Sequence, residues 1–295
     1  MKQLLSPKQV AASIGVSESS LKRWCDQGVI RSERTPGGHR RIAMDEVVRF
    51  VRLGDHAFVR PDLLGLPARR GPEARGGDQA VAQLQAAVRD GDAALSNRLI
   101  LDHYLGGADL ATVFDEVLAP AMHAIGEEWE CGETEVFQER RACEIFGSAI
   151  HDLKRLLPPP ALDAPIALGG APEGDHYHLA SQMVDLVLTE AGWRSQLLGG
   201  ALPFATLSVA AQRHQPPLFW LSMSHVGDPE TFWSRYRGFV EGLPDSTRLL
   251  VGGRAFDAES GAFSERVTYC EDLRTLARKA ALPASNAAES GAKAG

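Results

Sequence analysis

Two proline- and glycine-rich stretches constrain this chain more than any other feature. One, PDLLGLPARRGPEARGG, lies within residues 54–78; the other, PPPALDAP, begins at Pro158. Proline removes a backbone donor and glycine weakens helices and strands, so no regular element is expected to run through either stretch. The 295 residues are thereby cut into regions that must each bury an apolar face of their own. The expected divisions are a head at 1–53, a linker at 54–78, a helical region at 79–158 and an α/β region at 163–282. The end of the chain, PASNAAESGAKAG at 283–295, has no large apolar residue and is expected to be disordered.

The head reads as two short helices and a hairpin. Ser6 before Pro7 gives an N-cap followed by proline at the first helical position. Val10, Ala11 and Ile14 share a face, and Gly15 stops the helix. Ser17 then caps a second helix, ESSLKRWCDQ, which Gly28 ends. A helix, a turn through Gly15 and Val16, and a second helix have helix-turn-helix spacing. In that motif the second helix enters the major groove. Its polar residues Ser19, Ser20, Lys22 and Arg23 are the candidates for base and phosphate contacts, while Leu21 and Trp24 are expected to pack inward. Val29 and Ile30 are expected to begin a strand, Pro36-Gly37-Gly38 a turn, and Arg40-Arg41-Ile42 the return strand. The tip of this wing presents His39, Arg40 and Arg41, which suit phosphates beside or within the minor groove. A closing helix follows from Asp45, with Val47, Val48, Phe50 and Val51 on its apolar face.

Charge agrees with that assignment once it is read locally. The net charge of −7 argues against nucleic acid, but residues 1–60 hold 11 Lys/Arg against 6 Asp/Glu, and the remainder 20 against 32. A basic head on an acidic body fits one phosphate-binding module carried by regions that do something else. The segments SPKQVAASIGVSESSLKRWCDQGVI and TPGGHRRI together resemble the MerR family of transcription regulators, and they cover the whole head. The resemblance implies binding to a double-stranded DNA operator. Helix-turn-helix proteins engage two half-sites as dimers, so a homo-oligomer, dimer or tetramer, is expected, assembled by the rest of the chain.

The middle region has the helical period throughout. Leu110, Val113, Phe114, Val117, Ala121, Ile125 and Trp129 fall on one face of 109–130. Val136, Cys143, Phe146, Ile150, Leu153 and Leu157 do the same over 135–157. Earlier helices near 79–89 and 91–104 complete an expected four-helix bundle. Trp129, nine residues, then Glu139 resembles a Trp-x9-Glu-His pattern in the bundles of light-responsive, cobalamin-dependent MerR-type repressors of carotenoid genes. There the resemblance implies that Trp129 and Glu139 face the upper side of the cofactor. In this chain Arg140 stands where that pattern has His.

The C-terminal region alternates apolar runs with helical stretches. PIALGG, RSQLLGG, LFWLSMS and RLLVGG are four expected strands of a parallel, doubly wound sheet, with ligand at their carboxyl ends. The predicted fold is thus multidomain: an all-α winged helix-turn-helix head, a four-helix bundle, then an α/β Rossmann-like sheet. GDHYHLA, LSMS and VGG, at the strand ends, resemble the cobalamin-binding domain, whose motif is Asp-x-His-x-x-Gly, a serine segment and a glycine pair. The resemblance assigns Asp175 to the motif Asp. Ser222 and Ser224 fall in the segment lining the nucleotide tail, and Gly252 and Gly253 are the pair that lets backbone approach it. The cobalt-ligating His falls on Tyr177 and the motif Gly on Ala180. Imidazole suits cobalt and a neutral phenol does not. Three outcomes stay open here: cobalamin held without a protein ligand, a metal ligand supplied by the flanking His176 or His178, or a pocket for another tetrapyrrole or for nothing.

The expected function is DNA-binding transcription regulation in which a ligand, a cobalamin by resemblance, held between bundle and α/β domain sets oligomeric state and operator binding. In the resembled repressors adenosylcobalamin drives assembly and light reverses it. A constitutive DNA-binding regulator with a vestigial or different-tetrapyrrole-binding domain is a second reading. A corrinoid carrier module of a methyltransferase is a third, but no methyl-transfer partner domain is recognisable, and a reading helix would be idle in a carrier. Nucleophile–base pairs and Gly-rich phosphate loops are missing, so no enzyme is expected. Cys25, Cys131, Cys143 and Cys270 have no CxxC spacing and read as reduced thiols rather than a zinc site or disulfide frame. No run of about 18 apolar residues occurs, and MKQLLSPKQV does not read as a signal peptide, so a cytoplasmic protein without membrane contact is expected.

Overall fold

In the computed structural model, residues 3–54, 56–67, 77–131, 135–257 and 264–281 are described, apart from the side chains of Trp129 and Glu130. They form two compact units, Met1–Pro159 and Pro160–Gly295. The expected disordered tail at 283–295 lies outside the described residues, as does much of the expected linker.

The first unit begins with a short strand, β1 (Leu4–Leu5), then α1 (Pro7–Ile14) and α2 (Glu18–Asp26). Ser6 and Gln9 form a reciprocal capping box on α1, and Gly15, at φ 71°, closes it in the left-handed region. Strands β2 (Glu33–Arg34) and β3 (Arg40–Ala43) pair antiparallel, and β1 pairs with the other edge of β3. The head is therefore not all-α: it carries a three-stranded sheet in the order β1-β3-β2. Its hairpin also starts later than expected. Val29 and Ile30 form a turn, with Ile30 buried and both amides donating to Trp24 O, so they close α2 rather than open a strand. Helix α3 (Met44–Leu53) completes the head, whose core is Val10, Ile14, Leu21, Ile42, Val47 and Val48.

Part of the expected linker is folded. Phe58, Leu64 and Leu66 are buried, the amides of Val59 and Arg60 donate to Ser13 O at 2.8 and 2.9 Å, and Gln3 Nε2 donates to Leu64 O. Pro61 starts a 3-10 turn over Pro61–Leu64 and Gly65, at φ 76°, ends it. Here proline and glycine shape a strap that packs on α1, because its apolar residues have a surface to cover.

The same unit continues as α4 (Gly77–Asp90), α5 (Ala93–Leu105), α6 (Leu110–Val113), a π-turn over Phe114–Leu118, α7 (Ala119–Glu130) and α8 (Val136–Leu156). Helix α4 packs on α5 and α7, and α8 on α5 and α7. The π-turn shifts the helical phase, so that Leu118 is buried along with Phe114, Val117 and Ala121. Val136, expected on the apolar face of α8, is 54% exposed beside Phe137 at 63%; the inward face instead runs through Ala142, Ile145, Phe146, Ala149 and Ile150.

The second unit is a five-stranded parallel sheet, β4 (Ile166–Gly170), β5 (Arg194–Leu197), β6 (Leu218–Ser222), β7 (Arg248–Gly252) and β8 (Val267–Cys270), in the order β5-β4-β6-β7-β8. β8 is a strand beyond the four expected. Helices α10 (Phe204–His214) and α11 (Pro229–Glu241) cover one face, burying Phe204, Phe239 and Tyr236 against Phe219 and Leu221. Helix α9 (His178–Glu190) lies on β5 and β6, with α12 (Leu273–Ala280) beside it. Strand order reverses between β4 and β6, and a sheet wound this way takes its ligand at that switch point.

Candidate functional site

In the head, α2 carries the candidate reading side chains. Ser17 Oγ accepts from the amide of Ser20 (3.0 Å) and lies 2.9 and 2.8 Å from the hydroxyls of Ser19 and Ser20. Ser19, Lys22 and Arg23 are exposed; Lys22 pairs with Glu18 at 2.7 Å across one turn, in water on both sides. Beneath them Leu21 is fully buried, and Trp24 is half-buried in an aromatic cluster with Phe50 and His56, ring centroids 5.3 and 5.0 Å away.

The hairpin turn is set by Gly38 at φ 78°, with the Thr35 amide donating to His39 O at 2.9 Å and the Gly38 amide to Thr35 O at 2.8 Å. His39 is exposed and Arg41 partly so. Arg40 is placed differently. Its guanidinium donates to Lys22 O (2.8 Å) and to the Asp26 carboxylate, so it ties the hairpin to α2. The hydrogen bond to Asp26 raises the Arg40 pKa. Successive residues of a strand point to opposite faces, which is why Arg40 turns to α2 and Arg41 does not.

Behind this surface Glu46 holds the hairpin's approach. Buried, it accepts from the amide of Arg31 (2.7 Å) and from Arg49 Nε and Nη2 (2.9 and 2.6 Å). Burial alone would raise its carboxyl pKa; the Arg49 and Arg31 hydrogen bonds outweigh that and hold it below the ordinary value. Arg52, one turn on, reaches the helical region: it donates to Ala108 O (2.8 Å) and Tyr104 O, with its guanidinium carbon 3.7 Å from the Tyr104 ring centroid. Sequence reading missed this clasp, because no spacing links positions so far apart.

In the helical region the Trp129 side chain lies outside the described residues. Glu139 is partly buried near the start of α8, 3.4 Å from Arg140 Nε and 3.7 Å from Cys143 Sγ. Burial, with the Glu139 charge beside it, pushes the Cys143 thiol up to about 11, so it is neither a thiolate nor a ready metal ligand at neutral pH.

In the α/β unit Asp175 joins the two loops that flank the switch point. It is 1% exposed; Oδ1 accepts from the amide of Tyr177 at 2.9 Å and Oδ2 from the amide of Ser224. The loops after β4 and β6 are thus bound to one carboxylate. Ser222 is buried at the end of β6 and Ser224 partly buried. Gly253 has φ 96°, and a side chain there would meet Met223 backbone carbon at 2.9 Å; one on Gly252 would meet Cys270 O at 2.8 Å. Both glycines are needed for close passage of the protein's own backbone.

Tyr177 is 48% exposed and precedes α9. His176 and His178 are exposed as well, and the His178 ring rests on the backbone of Gly200, whose missing Cβ would lie 2.5 Å from it. The His178 ring is thus turned to Gly200, and both Asp175 oxygens are engaged by backbone amides. The donor set does not fit a cobalamin ligated from below by histidine. No group of three or more His, Cys, Asp or Glu among the described residues is placed to hold a metal ion.

Comparison with known proteins supplies the relations. A helix-turn-helix domain family matches residues 4–52, and a B12 binding domain family matches 80–154. The HTH-type transcriptional repressor CarH of Myxococcus xanthus is 26% identical over 266 residues, spanning 83% of this chain and 88% of the repressor. The repressor CarA of the same organism is 25% identical over 279 residues, spanning 91% and 93%. The monomethylamine corrinoid protein of Methanosarcina barkeri is similar in fold, with a TM-score of 0.59 at 18% identity, over 70% of this chain and 98% of that one. No helix among the described residues is long and apolar enough to cross a membrane. The chain therefore combines a helix-turn-helix domain with a B12 binding domain and is a homologue of the transcriptional repressors CarH and CarA.

Proposed function

We propose that this protein is a transcription regulator whose binding to a double-stranded DNA operator is set by a ligand, a cobalamin in the first instance, taken up by the domains that follow its head. The head is a MerR-type winged helix-turn-helix: Ser19, Ser20, Lys22 and Arg23 read the major groove, and His39 and Arg41 of the wing contact phosphate. The helical region acts as a four-helix bundle that caps the ligand with Trp129 and Glu139. Asp175, Tyr177, Ser222, Ser224, Gly252 and Gly253 form a strand-end site in the α/β domain. The protein works as a cytoplasmic homo-oligomer, since one head makes few phosphate contacts.

The observation that carries this reading is the presence, on one chain, of a helix-turn-helix whose second helix exposes Ser19, Lys22 and Arg23 and of a parallel sheet whose switch point is knitted by a buried carboxylate. The relatives' names support a repressor rather than an enzyme. The departure at Tyr177 supports widening the ligand class to other tetrapyrroles, because a phenolate serves ferric haem where imidazole serves cobalt.

The test is to purify the full chain after incubation with adenosylcobalamin, methylcobalamin or haem and to record absorption after gel filtration, alongside operator gel shifts with and without the ligand that binds. Stoichiometric co-elution of one ligand, and a shift in operator affinity with it, is expected. If no ligand co-elutes, the sensory half of the proposal fails and a constitutive DNA-binding protein remains.

A further inference from the structure

We infer that the α/β domain holds its tetrapyrrole by the ring alone and admits no nucleotide tail beneath its sheet, because the indole of Trp220 fills the hollow a tail would need. The inference rests on the proposed function above and narrows its ligand.

Burying a tail that hangs from a ring at the strand ends requires a shaft running down one face of the sheet. Small residues at the carboxyl ends of the central strands are where such a shaft opens. Gly169 and Gly170 end β4, and Gly252 and Gly253 follow β7. None of the four leaves open space. A Cβ on Gly169 would strike the Trp220 carbonyl oxygen and lie 2.6 Å from Cγ of its indole, and one on Gly170 would strike Gly199 O. Gly252 and Gly253 are closed by Cys270 and Met223.

Trp220 lies on the strand face opposite the aromatic core. Its neighbours Phe219 and Leu221 point into that core with Phe204 and Phe239, which leaves Trp220 and Ser222 on the face covered by α9. Register pairs Trp220 with Gly169, so the largest side chain of β6 lies across the smallest residue of β4. Trp220 is fully buried. Its Nε1, and Ser181 Oγ on α9, have no hydrogen-bond partner. An unpaired buried donor is costly, so the indole is there for its bulk and not for a bond to protein. With one face a closed aromatic core and the other plugged, the remaining surface is the strand-end loops held by Asp175. A ring has that surface to rest on, and a tail has no opening beside Gly169, Gly170, Gly252 or Gly253.

The test compares two corrinoids on the full chain by absorbance titration: adenosylcobalamin, and adenosylcobinamide, which lacks the nucleotide. The wild type is expected to bind both with dissociation constants within about threefold. Trp220→Phe keeps most of the bulk and should behave alike. Trp220→Ala opens the hollow and should come to prefer adenosylcobalamin by about tenfold or more. A wild-type preference for adenosylcobalamin beyond about tenfold overturns the inference while leaving the proposed function standing. Failure of every protein to bind either corrinoid overturns the inference, and the haem arm of the co-elution test then decides the proposed function. Should Trp220→Ala not fold, the wild-type comparison decides alone.

Discussion

Arg40 and Arg41 are adjacent, identical in chemistry, and placed in opposite settings. Arg40 is held by Asp26 and Lys22 O, whereas Arg41 has no such tie to α2. Their substitutions should therefore separate. On the proposed function Arg41 meets a phosphate, so Arg41→Ala should reduce the slope of log affinity against log salt by about one. Arg40→Ala should weaken operator binding, because the hairpin loses its anchor on α2, yet leave that slope nearly unchanged. Equal loss of slope for both would mean that Arg40 leaves Asp26 to meet DNA. The sequence marked both as wing residues and could not separate them, since the deciding carboxylate lies 14 positions away. Glu46 carries a second residue-scale consequence. Its carboxyl pKa is lowered in the fold, so its stabilisation is complete above the ordinary value of 4.5 and is lost as pH falls through the lowered one. Glu46→Gln should destabilise the head by about 1–3 kcal/mol at neutral pH. In denaturant titrations that difference should hold down to about pH 5 and shrink below about pH 4. A difference independent of pH would remove Glu46 from the account.

At the scale of elements, legibility followed length and amphipathic contrast. Three of the four strands expected are apolar runs ending in small or polar residues, β5 is marked instead by the LLGG that closes it, and the long helices carry the helical period over several turns. β8 escaped because VTYC is short and mixed, and β1 because two leucines before a proline carry no period. Val29 and Ile30 looked like a strand because β-branched pairs favour strands, but the backbone there closes α2. The strap at 56–67 looked like linker because its turn residues stood out and its spaced Phe58, Leu64 and Leu66 did not. At the strand ends, Asp175 stood out in sequence, but its actual partners, the amides of Tyr177 and Ser224, depend on how two loops meet. The clasp between α3 and the helical region yields a prediction at this scale. Arg52→Ala removes the hydrogen bonds to Ala108 O and Tyr104 O and the stacking on Tyr104, at a cost of about 1–3 kcal/mol. The head should then melt separately from the helical region, as an added low-temperature transition in calorimetry. A single unchanged transition would show that the clasp does not couple them.

For the whole molecule, the proposed function makes the number of heads that one particle brings to DNA the deciding quantity. Each head offers a few cations, Lys22, Arg23 and Arg41 foremost, on a chain whose net charge is −7. Bulk electrostatics therefore opposes binding, and attraction is local to the head. A single head would bind weakly, and linked heads gain from the raised effective concentration of the second once the first is seated. A ligand that prefers the assembled state shifts the population of particles with several heads, and by linkage operator DNA must strengthen ligand binding by the same factor. Both arms are measurable. With saturating ligand, the salt slope of operator binding should steepen in proportion to the number of heads engaged, about doubling for a dimer on two half-sites. Operator DNA should in turn tighten the ligand's dissociation constant by the factor by which ligand tightens DNA binding. A ligand that binds stoichiometrically but changes neither quantity would leave the head and the sensory domains as two independent activities on one chain.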